Sequence, residues 1–207
     1  MKDKEATRQR ILEMGKKAFI EKGYEGAYLR DIAKEAGVTT GAFYGHYKDK
    51  DALFVDLVRP VLDGLKEELS KIQQEYQVID NKTLKKNPMI LLSSDNVIDF
   101  VYDHLDEVML ILKSADKTSL ANWQDELFKE GVEEAEEYQR KWKEAGILHS
   151  EFDPEFISII TASYFKSIIE AVSRGFDRNK TKQFVSMLSV YHTGGLQTLA
   201  GMQKKKR

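Results

Sequence analysis

Between Thr39 and Lys48 the chain concentrates small and polar side chains in one short segment, TTGAFYGHYK. Hydroxyl, phenol and ammonium groups can donate hydrogen bonds to phosphates and base edges, and the methyl group of alanine or threonine can touch the methyl group of thymine. Gly41 and Ala42 would let the backbone approach a partner closely. The segment therefore has the chemistry of a nucleic-acid contact.

The sequence around this segment predicts the elements that would position it. A short helix over about residues 29–36 ends at Gly37, which permits the left-handed backbone of a tight turn. Thr39 can cap a further helix that ends near Tyr47, and Phe43 and Tyr47, four residues apart, can face the core. Two short helices joined in this way form a helix-turn-helix unit, in which the N-terminal residues of the second helix meet base edges in the major groove. A purely structural helical hairpin is the alternative.

The segment AFIEKGYEGAYLRDIAKEAGVTTGAFYGHYKDKDALF closely resembles the N-terminal domain of TetR-family transcriptional repressors. The family pattern places a Phe-x-x-x-Gly-Tyr motif before Ile-Ala-x-x-Ala-Gly-Val and an aromatic recognition helix, followed by Lys-x-Lys. The matching residues are Phe19, Gly23, Tyr24, Ile32, Ala33, Ala36, Gly37, Val38, Thr39, Gly41, Tyr44, His46, Tyr47, Lys48 and Lys50. The resemblance implies a dimer that binds a pseudo-palindromic double-stranded DNA operator and responds to a small-molecule effector.

The candidate DNA-binding residues are Tyr28, Arg30, Thr39, Thr40, Gly41, Ala42, Tyr44, His46 and Lys48. One departure from the family concerns the start of the first of the two short helices. Threonine or serine is usual at positions 27 and 28, whereas this chain has Ala27 and Tyr28. The missing hydroxyl cap weakens that helix by roughly 1 kcal/mol. Tyr28 either replaces the phosphate contact or packs, and Arg30 is either a phosphate contact or a solvated surface residue.

Apolar side chains at helical spacing predict an all-α fold of eight or nine helices without a strand. We expect a helix-turn-helix domain at residues 1–58 and an effector-binding and dimerisation domain at residues 59–207. Pro60 should kink the long helix, about residues 49–77, that joins them. Other helices are expected at about 4–22, 96–114, 120–145, 154–175 and 180–202, with a long connection over 78–95.

The last two predicted helices are candidates for a dimer interface. The first of them is apolar on nearly all sides, which predicts burial on more than one face. The second contains Gly194 and Gly195, which would permit close approach of a partner helix. The candidate interface residues are Tyr164, Ile168, Val172, Leu188, Tyr191, Gly194 and Gly195. The alternative is a monomeric core with a frayed glycine pair.

Aromatic residues in the C-terminal region are candidates for an effector pocket, although such residues also form ordinary cores. The candidates are Phe100, His104, Trp123, Phe128, Tyr138, Trp142 and Phe165. His104 is either a core histidine with a satisfied partner or a polar group in the pocket. His104 and Glu107 make a weak metal-binding pair, and we expect neither a metal site nor a cofactor. The acidic residues Asp99, Asp103 and Glu107 are expected to form a solvated face.

Composition limits the possible functions. The absence of cysteine excludes disulfides, thiolate metal sites and cysteine nucleophiles. Scattered histidines and the lack of a phosphate-binding loop or a His-Glu-x-x-His motif argue against an enzyme.

The N-terminus lacks a secretory signal and no apolar run reaches membrane-spanning length, which predicts a cytoplasmic protein. Residues 1–50 carry a net charge of +3 (11 basic, 8 acidic) and residues 51–150 one of −9 (12 basic, 21 acidic), which suggests different partners for the two regions. The sequence favours a ligand-responsive transcriptional regulator, most simply a repressor; a helical adaptor is the other alternative.

Overall fold

The computed structural model describes residues 2–86, 95–148 and 152–205, without the side chains of several residues inside its helices. In these ranges it contains no strand, which confirms the predicted all-α class. The α-helices are α1 (Lys2–Gly26), α2 (Leu29–Glu35), α3 (Thr40–Tyr44), α4 (Lys50–Gln77), α5 (Asn81–Lys86), α6 (Asp95–Asp103), α7 (Leu105–Ser114), α8 (Trp123–Glu144), α9 (Pro154–Ser173) and α10 (Arg178–Lys205). A 3-10 turn follows α7 at Ala115–Lys117.

The described chain has more helices than the eight or nine predicted, for two local reasons. The helix expected over 96–114 is divided at His104, whose φ of −120° and ψ of 31° leave the helical region. The connection expected over 78–95 contains α5, because an Asp80 carboxylate oxygen accepts hydrogen bonds from the Lys82 and Thr83 backbone N–H groups at 2.9 and 3.0 Å. Asn87 and Pro88, where we predicted no helix, lie outside the described residues.

Aspartate side chains cap two of the long helices. The Asp49 carboxylate accepts a hydrogen bond from the Ala52 N–H at 2.7 Å and so caps α4. Asp153 accepts bonds from the N–H groups of Glu155 and Phe156 at the start of α9. Gly23 has a φ of 70° and interrupts α1 close to the predicted end, after which one further helical turn continues to Gly26. Side-chain oxygens thus fix where α4 and α9 begin.

Contacts divide the chain into two compact units. The head unit comprises Met1–Gly64 together with His104–Trp123, and the body unit comprises Leu65–Asp103 with Gln124–Arg207. In the head unit α1 packs against α2 and α7, around side chains that are almost fully buried: Ile11, Phe19, Ile32, Phe43 and Phe54. In the body unit α10 packs against α6 and α9. A core cluster there contains Trp142, Leu148, Phe152, Ile157 and Leu196. The proposed boundary at residue 58 stays a prediction.

The acidic side chains expected on a solvated face form ion pairs. In the body unit Lys182 Nζ lies 2.8 Å from Asp99 Oδ2, and an Arg178 guanidinium nitrogen lies 2.6 Å from Asp103 Oδ1. In the head unit Glu107 binds Lys16 Nζ at 2.8 Å. The side chains of Asp99 and Asp103 remain 38% and 62% exposed, in keeping with the expected solvated face, whereas that of Glu107 is 18% exposed. The paired cations come from α1 and α10, which are distant in the sequence.

Helix α9 is the one described helix that is long and apolar enough to cross a membrane, judged by length and composition alone. This is weak evidence for a membrane span, because core helices can meet the same criteria. Only 22% of the apolar stretch is buried within the chain. The other residues of α9 are half-buried or exposed within the protomer.

Candidate nucleic-acid interface

Helices α2 and α3 form the predicted helix-turn-helix unit. Gly37 has a φ of 68°, in the left-handed region that favours glycine, and the Val38 N–H donates to the Ala33 carbonyl at 2.9 Å across the turn. Ala33 and Ile32 are each 1% exposed, so α2 is anchored to the core by one face. The turn and the anchored face together fix the direction in which α3 leaves.

Helix α3 is held at its start by a side-chain cap and along one side by aromatic burial. Thr39 Oγ1 accepts a hydrogen bond from the Ala42 N–H at 3.1 Å, which is the predicted cap. Phe43 is fully buried and Tyr47 is 5% exposed, as the spacing of four predicts, although α3 ends at Tyr44 rather than near Tyr47 as expected. Their ring centroids lie 5.9 Å apart. The buried side is thus fully used for packing, which leaves the opposite side of α3 for other contacts.

The remaining side chains of this segment are open to solvent. Tyr28, Arg30, Thr39, Thr40, Gly41, Ala42, Tyr44 and Lys48 are exposed, and His46 is half-buried. A methyl group added at Gly41 would approach no described side chain more closely than 4.0 Å, the distance to Thr39 Oγ1. Packing within the head unit therefore does not require glycine at position 41, whereas close approach to a DNA groove would.

The start of α2 departs from the usual helix start, as the sequence indicates. Tyr28 occupies the N-cap position and its side chain makes no capping hydrogen bond. Ala27 is only 1% exposed, while Tyr28 is 66% exposed. The phenol of Tyr28 is therefore open to a ligand from solvent, and its role in phosphate contact or in packing stays a prediction.

A polar cluster that the sequence analysis missed holds the base of α3. The Tyr47 hydroxyl donates to Asp56 Oδ2 at 2.6 Å, and an Arg8 guanidinium nitrogen lies 2.7 Å from both oxygens of Asp56. Burial, with the adjacent Asp56 carboxylate, raises the pKa of Tyr47, so its hydroxyl remains a donor at neutral pH. The signal in the sequence was Asp56 itself, an acidic residue between the buried Phe54 and Val58 of α4.

The candidate pocket residues lie in different parts of the structure. Phe100, Trp142 and Phe165 belong to the body unit, whereas His104 and Trp123 belong to the head unit. Trp142 is part of the core cluster, and Phe165 is half-buried with its ring centroid 5.7 Å from that of Tyr164. The side chains of Phe128 and Tyr138 lie outside the described part. Within that part no group of three or more potential metal ligands occurs.

The candidate dimer residues differ in their exposure within the protomer. Tyr164 and Val172 are 3% and 4% exposed, Ile168 and Leu188 are half-buried, and Tyr191 is 76% exposed. Gly194 and Gly195 are exposed, and a methyl group added at either would meet nothing within 4 Å. Met187 and Val190, which the sequence analysis did not select, are 73% and 71% exposed. With Tyr191 and Gly194 they form one stripe along α10.

Comparison with known proteins identifies the sequence around the helix-turn-helix unit. Residues 11–57 match the family described as bacterial regulatory proteins, tetR family. The chain is 32% identical over 103 residues to an HTH-type transcriptional regulator of Staphylococcus aureus (strain MRSA252), covering 50% of this chain and 52% of that protein. It is 38% identical over 71 residues to the regulator AcrR of Shigella flexneri, covering 34% and 31% of the two chains. The chain thus spans about half or less of the length of these curated relatives.

Solved structures share the fold over most of the chain. The TetR-family regulator PfmR of Thermus thermophilus has a TM-score of 0.64 at 20% identity and covers 89% of this chain and 97% of its own. AibR, solved with isovaleryl coenzyme A and operator DNA, has a TM-score of 0.60 at 20% identity, with coverages of 88% and 96%. The SmeT–triclosan complex has a TM-score of 0.63 at 19% identity, with coverages of 90% and 91%. At these identities the similarity concerns the fold alone.

Proposed function

We propose that this chain, whose residues 11–57 match the tetR family of bacterial regulatory proteins, is a DNA-binding transcriptional regulator of that family. The observation that carries the proposal is the two-sided character of α3. Phe43 and Tyr47 anchor one side, and the other presents small and polar groups around Gly41. The N-terminal residues of α3 would enter the major groove, with Tyr28, Arg30 and Lys48 contacting phosphates.

A mobility-shift assay with DNA fragments from upstream of the chain's own gene tests this function. Wild-type protein should shift one fragment, and the affinity should fall steeply as salt is raised. Gly41→Ala should preserve or increase stability, because the added methyl group has room and alanine favours helix by roughly 1 kcal/mol. The same change should weaken binding. Failure of the wild type to bind any fragment, with and without cell extract, would overturn the proposal.

We further propose that the protein acts as a homodimer on a pseudo-palindromic operator. Met187, Val190 and Tyr191 are exposed at positions i, i+3 and i+4 of α10, and the space beside Gly194 is open. An apolar stripe of this kind is a typical surface for another protein. A second copy is the occupant we favour, because two recognition helices must reach successive major grooves. Tyr164 and Val172 would then support the interface from within each protomer.

The finer proposal is a cytoplasmic repressor, without enzymatic activity, that a small-molecule effector releases from DNA. The fold similarity to AibR and SmeT, whose structures contain isovaleryl coenzyme A and triclosan, supports an effector site in residues 59–207. We propose that effector binding changes the spacing of the recognition helices, with α4 as the connecting lever. Soaking the protein in candidate ligands, or co-purifying it with a bound ligand, followed by mass spectrometry would identify the effector. Adding this effector should reduce the affinity of the protein for its operator.

A further inference from the structure

The first residue of α4, Lys50, directs its ammonium group into the head unit. Lys50 Nζ donates hydrogen bonds to the carbonyl oxygens of Tyr24, Glu25 and Ala27, at 2.7, 3.3 and 3.3 Å. An ammonium group has three N–H donors and no acceptor. The three carbonyl groups therefore use its full donor capacity.

The surroundings of Lys50 also favour an internal role. Its Nζ lies 4.6 Å from the centre of the Tyr24 ring, a cation–π contact. That ring packs edge-on against Phe54, at 5.3 Å between centroids, and stacks on Phe19 at 5.7 Å. Burial lowers the pKa of Lys50 while the nearby Glu25 acts in the opposite direction. The lysine is thus tied to an aromatic cluster of the core.

The three carbonyl groups belong to the chain segment that leads into α2. This segment follows the interruption of α1 at Gly23 and ends at Tyr28, the N-cap residue that lacks a side-chain cap. The carbonyl oxygen of Tyr28 in turn accepts hydrogen bonds from the N–H groups of Asp31 and Ile32, both at 3.1 Å. The start of α2 lacks the usual side-chain hydroxyl cap. Lys50 therefore stabilises this helix start from the interior side of the head unit.

We infer that Lys50 is a positioning residue for DNA binding, which fixes the start of α2 and so the placement of Tyr28 and Arg30, and that it does not contact a phosphate. This inference rests on the proposed DNA binding for its functional consequence. Lys48 provides the matched comparison. Its side chain is 80% exposed and its nearest ion partner, Asp49, is 3.9 Å away. Lys48 thus has donors to offer a phosphate, whereas Lys50 does not.

Salt dependence separates the two roles. Loss of one phosphate contact should reduce the slope of log affinity against log salt by about 0.9. We expect Lys48→Met to reduce the slope by about that amount for each protomer bound to the operator. Lys50→Met should leave the slope unchanged and weaken binding by roughly tenfold at every salt concentration, as loss of hydrogen bonds from a charged donor would. A slope reduced by Lys50→Met as much as by Lys48→Met would overturn the inference.

The conservative variant Lys50→Arg provides a second test. Arginine keeps the charge, but its planar fork does not reproduce a point donor to three converging carbonyl groups. Lys50→Arg should therefore weaken binding like Lys50→Met. Recovery of wild-type affinity would identify Lys50 as a phosphate contact and overturn the inference.

Hydrogen exchange provides a readout that does not require DNA. Amides of residues 24–32 should exchange roughly tenfold faster in both Lys50 variants, while Lys48→Met leaves them unchanged. Amides in the middle of α4 serve as the internal reference. Unchanged exchange of residues 24–32 in the Lys50 variants would overturn the inference. If the wild type bound no DNA but this exchange increased as expected, the proposed function would fail while the internal role of Lys50 stood.

Discussion

At the scale of single residues, the head unit depends on a few polar side chains that cap helices or bind one another. Thr39 and Asp49 cap the helices on either side of Tyr47, and Asp56 joins Tyr47 to Arg8. These contacts fix the two ends of the segment whose middle is open to solvent. The position of the exposed groups is therefore set by neighbours that face the interior.

The Thr39 cap can be tested with a change that keeps the shape of the side chain. Thr39→Val should lower the free energy of unfolding by about 1 kcal/mol, because the Ala42 N–H loses its acceptor. Thr40→Val is the control, since Thr40 lies inside α3 and is exposed. Urea denaturation of both variants measures the difference. Equal stability of the two variants would show that the cap has no role.

His192 predicts a pH dependence of stability. It is 9% exposed, with ring centroids of Tyr164 and Tyr191 at 5.2 and 5.5 Å, and burial lowers its pKa below the ordinary value of 6.5. The unfolded chain thus binds more protons just below pH 6.5, so stability should decrease as the pH falls from 6.5 toward the folded pKa. His192→Phe should reduce this decrease in denaturation experiments at fixed protein concentration. The same pH slope in both proteins would refute the role of His192.

At the scale of elements, capping and periodicity allowed most helices of the head unit to be predicted from sequence. Each cap residue binds backbone N–H groups close to it in the chain, so the local sequence indicates where α3, α4 and α9 begin. The split at His104 and the pairing of Asp99 with Lys182 could not be predicted in this way. They depend on how distant segments meet, which no local pattern records.

The same distinction between local sequence signals and distant contacts applies to the candidate contact residues. The alternation of buried Phe43 and Tyr47 with exposed neighbours was readable from helical spacing. The roles of Asp56 and Lys50 were not, because their partners Arg8 and Tyr24 lie 48 and 26 residues away in the chain. Tertiary contacts alone assign such polar residues to an internal role.

Pro60 allows a test of α4 as an element. Proline lacks the N–H group that would bind the carbonyl of Asp56, so Pro60→Ala should restore a helical hydrogen bond and raise stability, by up to about 3 kcal/mol. If α4 acts as a lever, the same change should alter operator affinity and the response to effector. Thermal denaturation and titration of labelled operator measure both effects. A stabilised variant with unchanged affinity and response would contradict the lever.

At the scale of the whole molecule, the proposed dimer makes a prediction that separates folding from association. Gly194→Ala adds a methyl group where the protomer has open space, so it should favour α10 by about 1 kcal/mol. If a second copy packs there, the same methyl group should weaken the dimer. Met187→Glu should dissociate it more strongly, because a charge would be buried. Sedimentation equilibrium measures both, and Lys180→Glu, at an exposed site away from the stripe, is the control. Unchanged association of Gly194→Ala and Met187→Glu would place the interface elsewhere.

The head unit is assembled from two stretches of chain separated by about forty residues of the body unit. Lys16 reaches Glu107, Glu25 reaches Lys117, and Asp51 accepts a hydrogen bond from the Ser119 N–H at 2.8 Å. During synthesis, residues 1–64 therefore leave the ribosome before their partners exist, and closing this long loop carries an entropic cost. These contacts of α1 and α4 can form only after Ser119 has emerged. A fragment ending at Gly64 would lack these three contacts.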